Sequence, residues 1–193
     1  MRLVLATRND HKVRELERMM DGVGIDALPP GVVLPPEDGA TFAENALGKA
    51  RAAAVALGRA AIADDSGVES EALGGAPGIF SARFAGPGAT DGENLAKLRA
   101  EAPAGSPLRY VCVMAYATPE GDERTFTGTC EGTLSAETRG SGGFGYDPAF
   151  LPADVADGRT MAELSAAEKD AISHRGRAAR ALLAWLRDGE RAA

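Results

Sequence analysis

Leu3-Val4-Leu5-Ala6-Thr7-Arg8-Asn9-Asp10-His11-Lys12-Val13-Arg14-Glu15-Leu16 runs from an apolar tetrad through a polar loop into a helical pattern. Four apolar residues without alternation read as a short strand buried on both faces. Thr7 to Asp10 is polar and ends in residue types that cap helices. Val13, Leu16 and Met20 then recur at helical spacing, and Gly22 marks the stop. Strand, polar loop, helix is the pattern of an α/β nucleotide site, in which the N–H groups at the helix start face an anion.

Outward from this unit, residues 26–40 are rich in Pro and Gly and read as a loop. Thr41-Phe42-Ala43-Glu44 is a capping box that opens a second helix. Ala43, Leu47, Ala50, Ala54 and Leu57 give that helix an apolar face, and Gly58 ends it. Ala60-Ala61-Ile62-Ala63 is a short buried strand running into Asp64-Asp65-Ser66-Gly67, and Gly74 to Gly78 breaks the chain. Thr90 to Glu93 is a further cap, with Leu95 and Leu98 on the helix behind it. Tyr110 to Ala117 is apolar on both faces, as in a central strand, and turns at Pro119–Asp122 into a second strand, Arg124 to Cys130. Gly140 to Pro148 is a glycine-rich loop. Ser165-Ala166-Ala167-Glu168 is a third capping box. Beyond Ser173-His174-Arg175 an amphipathic stretch turns Ala179, Leu182, Leu183 and Leu186 inward. With 193 residues and no clear linker, 1–193 reads as a single domain, or one with two lobes.

The hydrophobic fraction of 45% and charged fraction of 25% are those of an ordinary globule. No apolar run approaches the roughly 18 residues of a membrane span, so no membrane partner is expected. The formal charge is −7, the wrong sign for a non-specific nucleic-acid binder, so no nucleic-acid partner is expected. An anionic ligand would need a local concentration of positive groups. Arg175, Arg177, Arg180, Arg187 and Arg191 read as a solvated helix face. Cys112 and Cys130 sit in strand-like apolar surroundings and read as buried free thiols; with no signal-peptide pattern, a cytoplasmic location is expected. The patterns GxxxxGK[ST], GxSxG and HExxH are absent, which argues against a P-loop enzyme, an α/β-hydrolase and a zincin.

Several residues can carry chemistry, each with a plainer use. Asp64 and Asp65 at a strand end suit a hard cation such as Mg²⁺, or simply make a turn with Ser66. Glu44 is explained by its capping box, or faces a metal shared with Asp65. Thr7, Arg8, Asn9, Asp10, His11 and Lys12 place hydroxyl, amide, N–H and ammonium groups at a helix mouth, as phosphate oxygens require; a capped helix with a solvated Lys12 is the alternative. Only four of the 21 basic residues are Lys, which draws attention to Lys12 and Lys169, because a compact ammonium fits a tight phosphate pocket. In Gly142-Gly143-Phe144-Gly145-Tyr146-Asp147-Pro148 the glycines permit close approach, and Phe144 offers a face for a base to stack on, unless both aromatics belong to the core. His174 beside Arg175 is a donor pair in a helix break, or incidental.

The order of these motifs along one chain is more specific than any of them alone. TxNxxK after the first strand, TFxENAxxKA, IADDSG, GGAPGIxSAR, GGFGYDPxF and AELSxxEKxxISHRGxA follow one another from about Leu3 to Leu186. Together they resemble the inosine/xanthosine triphosphate pyrophosphatase family, which clears non-canonical purine nucleotides. The resemblance implies an α/β fold: a long mixed twisted β-sheet flanked by helices, in two lobes with the active site in the cleft between them. It implies a homodimer and Mg²⁺-dependent hydrolysis of ITP, dITP and XTP to the monophosphate and pyrophosphate. By motif, Thr7 to Lys12 would bind the triphosphate, Asp65 would be general base and metal ligand with Glu44 as its partner, and Ser66 would contact substrate. Phe144, Gly145, Tyr146 and Asp147 would hold base and sugar, with Lys169, His174 and Arg175 completing the pocket. Arg8 departs from the family, which usually has Gly there; its side chain would point to solvent or add a cation near the phosphates. A pyrophosphatase for dTTP, UTP or modified pyrimidines and a non-catalytic nucleotide-binding module are the alternative functions.

Overall fold

In the computed structural model, which describes residues 2–192, strand β1 (Arg2–Leu5) leads into helix α1 (Asp10–Met19) and returns as β2 (Gly24–Ala27). Strands β1 and β2 are parallel, with Leu3 opposite Ile25 and Leu5 opposite Ala27. Helix α2 (Phe42–Leu57) then carries the chain to β3 (Ala61–Ser70), which is also parallel to β1 but lies on its other side. A strand flanked on both sides by parallel neighbours reached in opposite directions is a topological switch point, and ligands of open α/β sheets bind beyond the carboxyl ends of such strands. The carboxyl end of β1 is Leu5, followed by Thr7 to Lys12; the register that pairs Leu5 with Ile62 sets Asp64 just beyond it. Helix α3 (Asp91–Glu101), strands β4 (Pro107–Ala117), β5 (Glu123–Leu134) and β6 (Phe150–Pro152), and helices α4 (Ala166–Ile172) and α5 (His174–Ala192) complete the chain. The six strands form one sheet in the order β2-β1-β3-β4-β5-β6, with β6 antiparallel to β5, so the sheet is mixed as expected.

The chain divides into two compact units. The first holds the residues up to Asp65, Cys112–Gly128 and those from Arg175 on; the second holds Ser66–Val111 and Thr129–His174. Each has its own core. In the first, Leu16 of α1, Met20 just beyond its end, and Ala178, Leu182 and Leu186 of α5 pack with Leu3, Leu5, Ile62, Cys112 and Met114 of the sheet. In the second, Leu95 and Leu98 of α3 pack with Val68, Leu108, Tyr110, Cys130, Leu134 and Phe150. Arg180 and Arg187 are exposed as expected, whereas Arg175 is buried at 1% exposure; the reading of Arg191 lies outside the described side chains.

Four local expectations are corrected. Gly24–Ala27 is a strand whose last two residues fall in what reads as loop: it is an edge strand, half exposed, and its Asp26 is held by Arg2 and Arg59 instead of packing. Asp64-Asp65-Ser66-Gly67 is not a turn, because β3 continues unbroken through it to Ser70. The buried stripe of α2 is Phe42, Asn45, Ala46, Lys49, Ala50, Ala53 and Ala54; Leu47 and Leu57 lie at its margin. Two polar residues on the inward face hide the period from an apolar count. A short strand, β6, follows the glycine-rich loop, too brief to show periodicity. The capping boxes at Thr90 and Ser165 are complete, and a further one joins Thr160 to Glu163.

Candidate functional site

Asp64 is fully buried on β3, and positive groups from three helices converge on it. Lys12 Nζ of α1 lies 3.0 Å from its Oδ2. Arg175, at the start of α5, donates to the same oxygen from Nε at 3.2 Å and Nη2 at 3.1 Å. Lys49 Nζ of α2 donates to the Asp64 carbonyl at 2.7 Å. Burial alone would push the Asp64 carboxyl up, but Lys12, Arg175 and Lys49 outweigh it and hold the group well below the usual carboxylate range. Its Oδ1 is buried without a hydrogen-bond partner. Arg175 is in turn fixed by Glu15 of α1, whose Oε2 accepts from Nη1 at 2.6 Å. Nε, Nη1 and Nη2 of Arg175 thus each make a hydrogen bond within the first unit, to Asp64 and Glu15.

Asp65, one residue on, meets the opposite environment. It is buried, Asn45 Nδ2 donates to its Oδ2 at 2.8 Å, and burial, with the charge of Glu37 adding to it, raises its pKa despite Lys49 and Lys12. A carboxylate whose proton affinity is raised, beside one that is firmly ionised, is the pattern expected of a general base next to an electrostatic anchor. Glu37 pairs with Lys49; burial pushes Glu37 up, and Lys49 outweighs it and keeps it ionised.

The polar loop before α1 is a working cap. Asn9 Oδ1 accepts from the N–H groups of His11 at 2.9 Å and Lys12 at 3.2 Å, and Thr7 Oγ1 accepts from Asn9 N at 3.2 Å. Two of the N–H groups a phosphate would seek are therefore already used, and Lys12 is buried-facing, not solvated. Asp10 and His11 are exposed, with His11 Nδ1 3.1 Å from Arg14. Arg8 turns its guanidinium onto the backbone of residues 28–32. Its exposed side chain donates from Nη1 to Leu28 O at 2.9 Å and from Nη2 to the carbonyls of Pro29 at 2.8 Å, Pro30 at 3.2 Å and Val32 at 2.9 Å.

In the second unit the glycine-rich loop is wound around Asp147. That side chain is 2% exposed. Its Oδ1 accepts from Tyr110 Oη at 3.0 Å; its Oδ2 accepts from Phe144 N at 2.9 Å and Lys169 Nζ at 2.6 Å. Gly143, at φ +70°, is required: a Cβ there would fall 2.0 Å from Asp147 Oδ2. Lys169 Nζ also lies 5.1 Å from the centroid of the half-buried Phe144 ring. Gly145 N donates to Asp91 of α3 at 2.8 Å, and Tyr146 is a core residue whose hydroxyl donates to Ser81 O at 2.7 Å. His174 stacks on Tyr110 with ring centroids 4.5 Å apart. Ser66 is half buried on β3.

For a divalent cation the donor chemistry fits. Asp65 and Glu44 offer only hard carboxylate oxygens, and a cation at Asp65 would relieve the burial that disfavours its ionisation. Glu44 is exposed and serves half a capping box: Thr41 Oγ1 accepts its N–H at 3.1 Å, while its own Oε2 accepts from Ala40 N at 2.8 Å. Among the described residues no three His, Cys, Asp or Glu side chains group as a ready-made metal cage, a requirement Mg²⁺ does not impose, since it is held by one or two carboxylates plus water and phosphate.

In the first unit the structure adds Glu15, Glu37, Asn45, Lys49 and Cys112, whose Sγ lies 3.9 Å from Asp64 Oδ2, to the cluster around Asp64 and Asp65; in the second it adds Tyr110 to the cluster around Asp147. Asn45 and Lys49 carried a signal, two polar residues i,i+4 on one face of a small-residue helix; Glu15 and Tyr110 carried none.

The sequence model described as the Ham1 family matches residues 3–185. A dITP/XTP pyrophosphatase of Symbiobacterium thermophilum is 50% identical over 182 residues, covering 92% of this chain and 90% of that protein. One of Streptomyces coelicolor is 48% identical, covering 97% and 98%. Among solved structures, a HAM1 protein from Coxiella burnetii superposes with a TM-score of 0.86 at 39% identity, over 97% of this chain and 99% of that one.

Proposed function

The chain belongs to the Ham1 family, and from that premise we propose that it is a nucleoside triphosphate pyrophosphatase. It hydrolyses ITP, dITP and XTP to the monophosphate and pyrophosphate, with Mg²⁺ as cofactor. The observation that carries the chemistry is the adjacent pair of buried carboxylates with opposed proton affinities, Asp64 clamped by cations and Asp65 raised by burial. The names of the relatives carry the substrate class.

Asp65 takes a proton from a water that attacks the α-phosphorus. A new O–P bond forms, the bridging Pα–O bond breaks, and pyrophosphate leaves with that electron pair. Lys12, 3.0 Å from Asp64, and Thr7 at the loop before α1 face the triphosphate and offset charge in the transition state. Asp64 keeps Lys12 in place, and Arg175 with Glu15 keeps Asp64 in place. When bound at Asp65 and Glu44, Mg²⁺ neutralises phosphate charge and acidifies water. In the second unit, the loop Phe144–Asp147, held by Asp147 and Lys169, receives base and sugar, and Ser66 contacts substrate. His174 is the donor to the 6-oxo group of hypoxanthine or xanthine; adenine, with an amino group there, leaves it unpaired at roughly 1–3 kcal/mol. The resemblance further supports a homodimer in the cytoplasm; among the described residues no helix is long and apolar enough to cross a membrane.

The test is pyrophosphate release from ITP, XTP, GTP, ATP and dTTP, with Mg²⁺ and with excess chelator. Fast release from ITP and XTP that chelator abolishes is expected. Release from dTTP instead would keep the chemistry and change the substrate; binding of ITP without turnover would leave a nucleotide-binding module.

A further inference from the structure

Arg8 stands in the middle of the loop assigned to the triphosphate, at a position where the resembling family usually has Gly, yet its guanidinium is spent on backbone. It gathers four carbonyls, those of Leu28, Pro29, Pro30 and Val32. The stretch Leu28-Pro29-Pro30-Gly31-Val32-Val33-Leu34-Pro35-Pro36 has four prolines and so few N–H groups with which to organise itself. Within it, Val32 N donates to Pro29 O at 3.2 Å. A planar fork of five donors suits several converging carbonyls; an ammonium with three donors does not span them in the same way. The same stretch leads directly to Glu37, which pairs with Lys49, and Lys49 donates to Asp64 O at 2.7 Å. Inside the first unit Arg8 is thus linked to the Asp64 cluster by the contacts it makes with residues 28–32, the run of chain from Val32 to Glu37, and the Glu37–Lys49–Asp64 contacts.

We propose that Arg8 is a positioning residue: its guanidinium clamps the 28–32 loop against the triphosphate loop and thereby sets nucleotide affinity through Glu37 and Lys49, without contacting a phosphate. The nucleotide half of this inference rests on the pyrophosphatase reading; the clamp does not. It differs from a simple charge effect, in which any cation at residue 8 would serve.

Two variants separate these, Arg8→Gly, which restores the usual family residue, and Arg8→Lys, which keeps the charge and loses the fork. Amide hydrogen exchange of Val32, whose N–H donates to Pro29 O, reads the clamp in the nucleotide-free protein. Steady-state KM and kcat for ITP with Mg²⁺ read its consequence. In both variants exchange at Val32 is expected to quicken about tenfold or more, with exchange in β1 unchanged. KM is expected to rise about three- to tenfold with kcat changed less than twofold. Unchanged exchange at Val32 would overturn the clamp. Faster exchange with unaltered KM would reduce Arg8 to a local strut and overturn its role in affinity. A wild-type KM in Arg8→Lys beside a raised one in Arg8→Gly would assign the effect to charge and overturn the proposal. Absence of ITP turnover in the wild-type protein would sink the pyrophosphatase reading and with it the affinity role, while exchange still judges the clamp.

Discussion

Asp64 and Asp65 are neighbours on one strand whose substitution should have opposite consequences. Asp65 ionises against burial, so its charge costs stability as the pH rises through its raised folded value. Asp65→Asn is therefore expected to melt at the wild-type temperature or slightly above it at pH 7, while pyrophosphate release falls by two or more orders of magnitude, about the range for loss of a general base. Near-wild-type turnover would refute the base assignment. Asp64 is the reverse. Its carboxylate is stabilised by Lys12 and Arg175, so its contribution is complete above the ordinary aspartate value of 3.8 and declines as the pH falls toward the depressed folded value. Asp64→Asn removes the carboxylate charge that Lys12 and Arg175 share, with only Arg175 keeping a second partner in Glu15, and is expected to cost about 3–5 kcal/mol, with a flatter acid-unfolding curve. Chemical denaturation at pH 7 and circular dichroism between about pH 2 and 7 read both effects. An Asp64→Asn protein as stable as wild type would show that the cation cluster stands without it.

At the scale of elements, the loop 140–148 depends on residues with no side chain, Gly143 among them. Gly143→Ala would drive a methyl into Asp147 Oδ2, which cannot retreat because Lys169 and Phe144 N hold it. A loss of about 1–3 kcal/mol is expected, as for overpacking, together with a higher KM for ITP. Unaltered stability and KM would show that the loop re-forms without its anchor. The legible and illegible parts of the chain divide along similar physical lines. The βαβ start, the capping boxes and the two buried thiols follow from local chemistry, and Lys12, Asp65 and Lys169 stood out by type and place. The edge strand β2 and the stripe of α2 did not, because half-exposed strands and helices that bury Asn45 and Lys49 break the apolar periods from which elements are read. Nor could spacing show that Arg175 reaches back to Glu15, since ion pairs between residues so distant in sequence are set by packing alone.

The whole molecule carries −7, yet its first unit concentrates Lys12, Lys49 and Arg175 around one buried carboxylate. A small anion held by directed donors can use such a local field, whereas an extended polyanion meets the acidic surface as well. No retardation of duplex DNA is therefore expected in a mobility-shift assay at about 0.15 M salt; a salt-sensitive shift would contradict it. The two cysteines bring one further consequence. Cys112 and Cys130 are wholly buried, and burial together with Asp64 pushes the Cys112 thiol up to about 12. An alkylating reagent needs an exposed thiolate, and the native protein presents none at Cys112. Labelling of that sulfur is gated by opening of the first unit, which makes it a clock for breathing of the fold, read as the fraction of Cys112 alkylated with time.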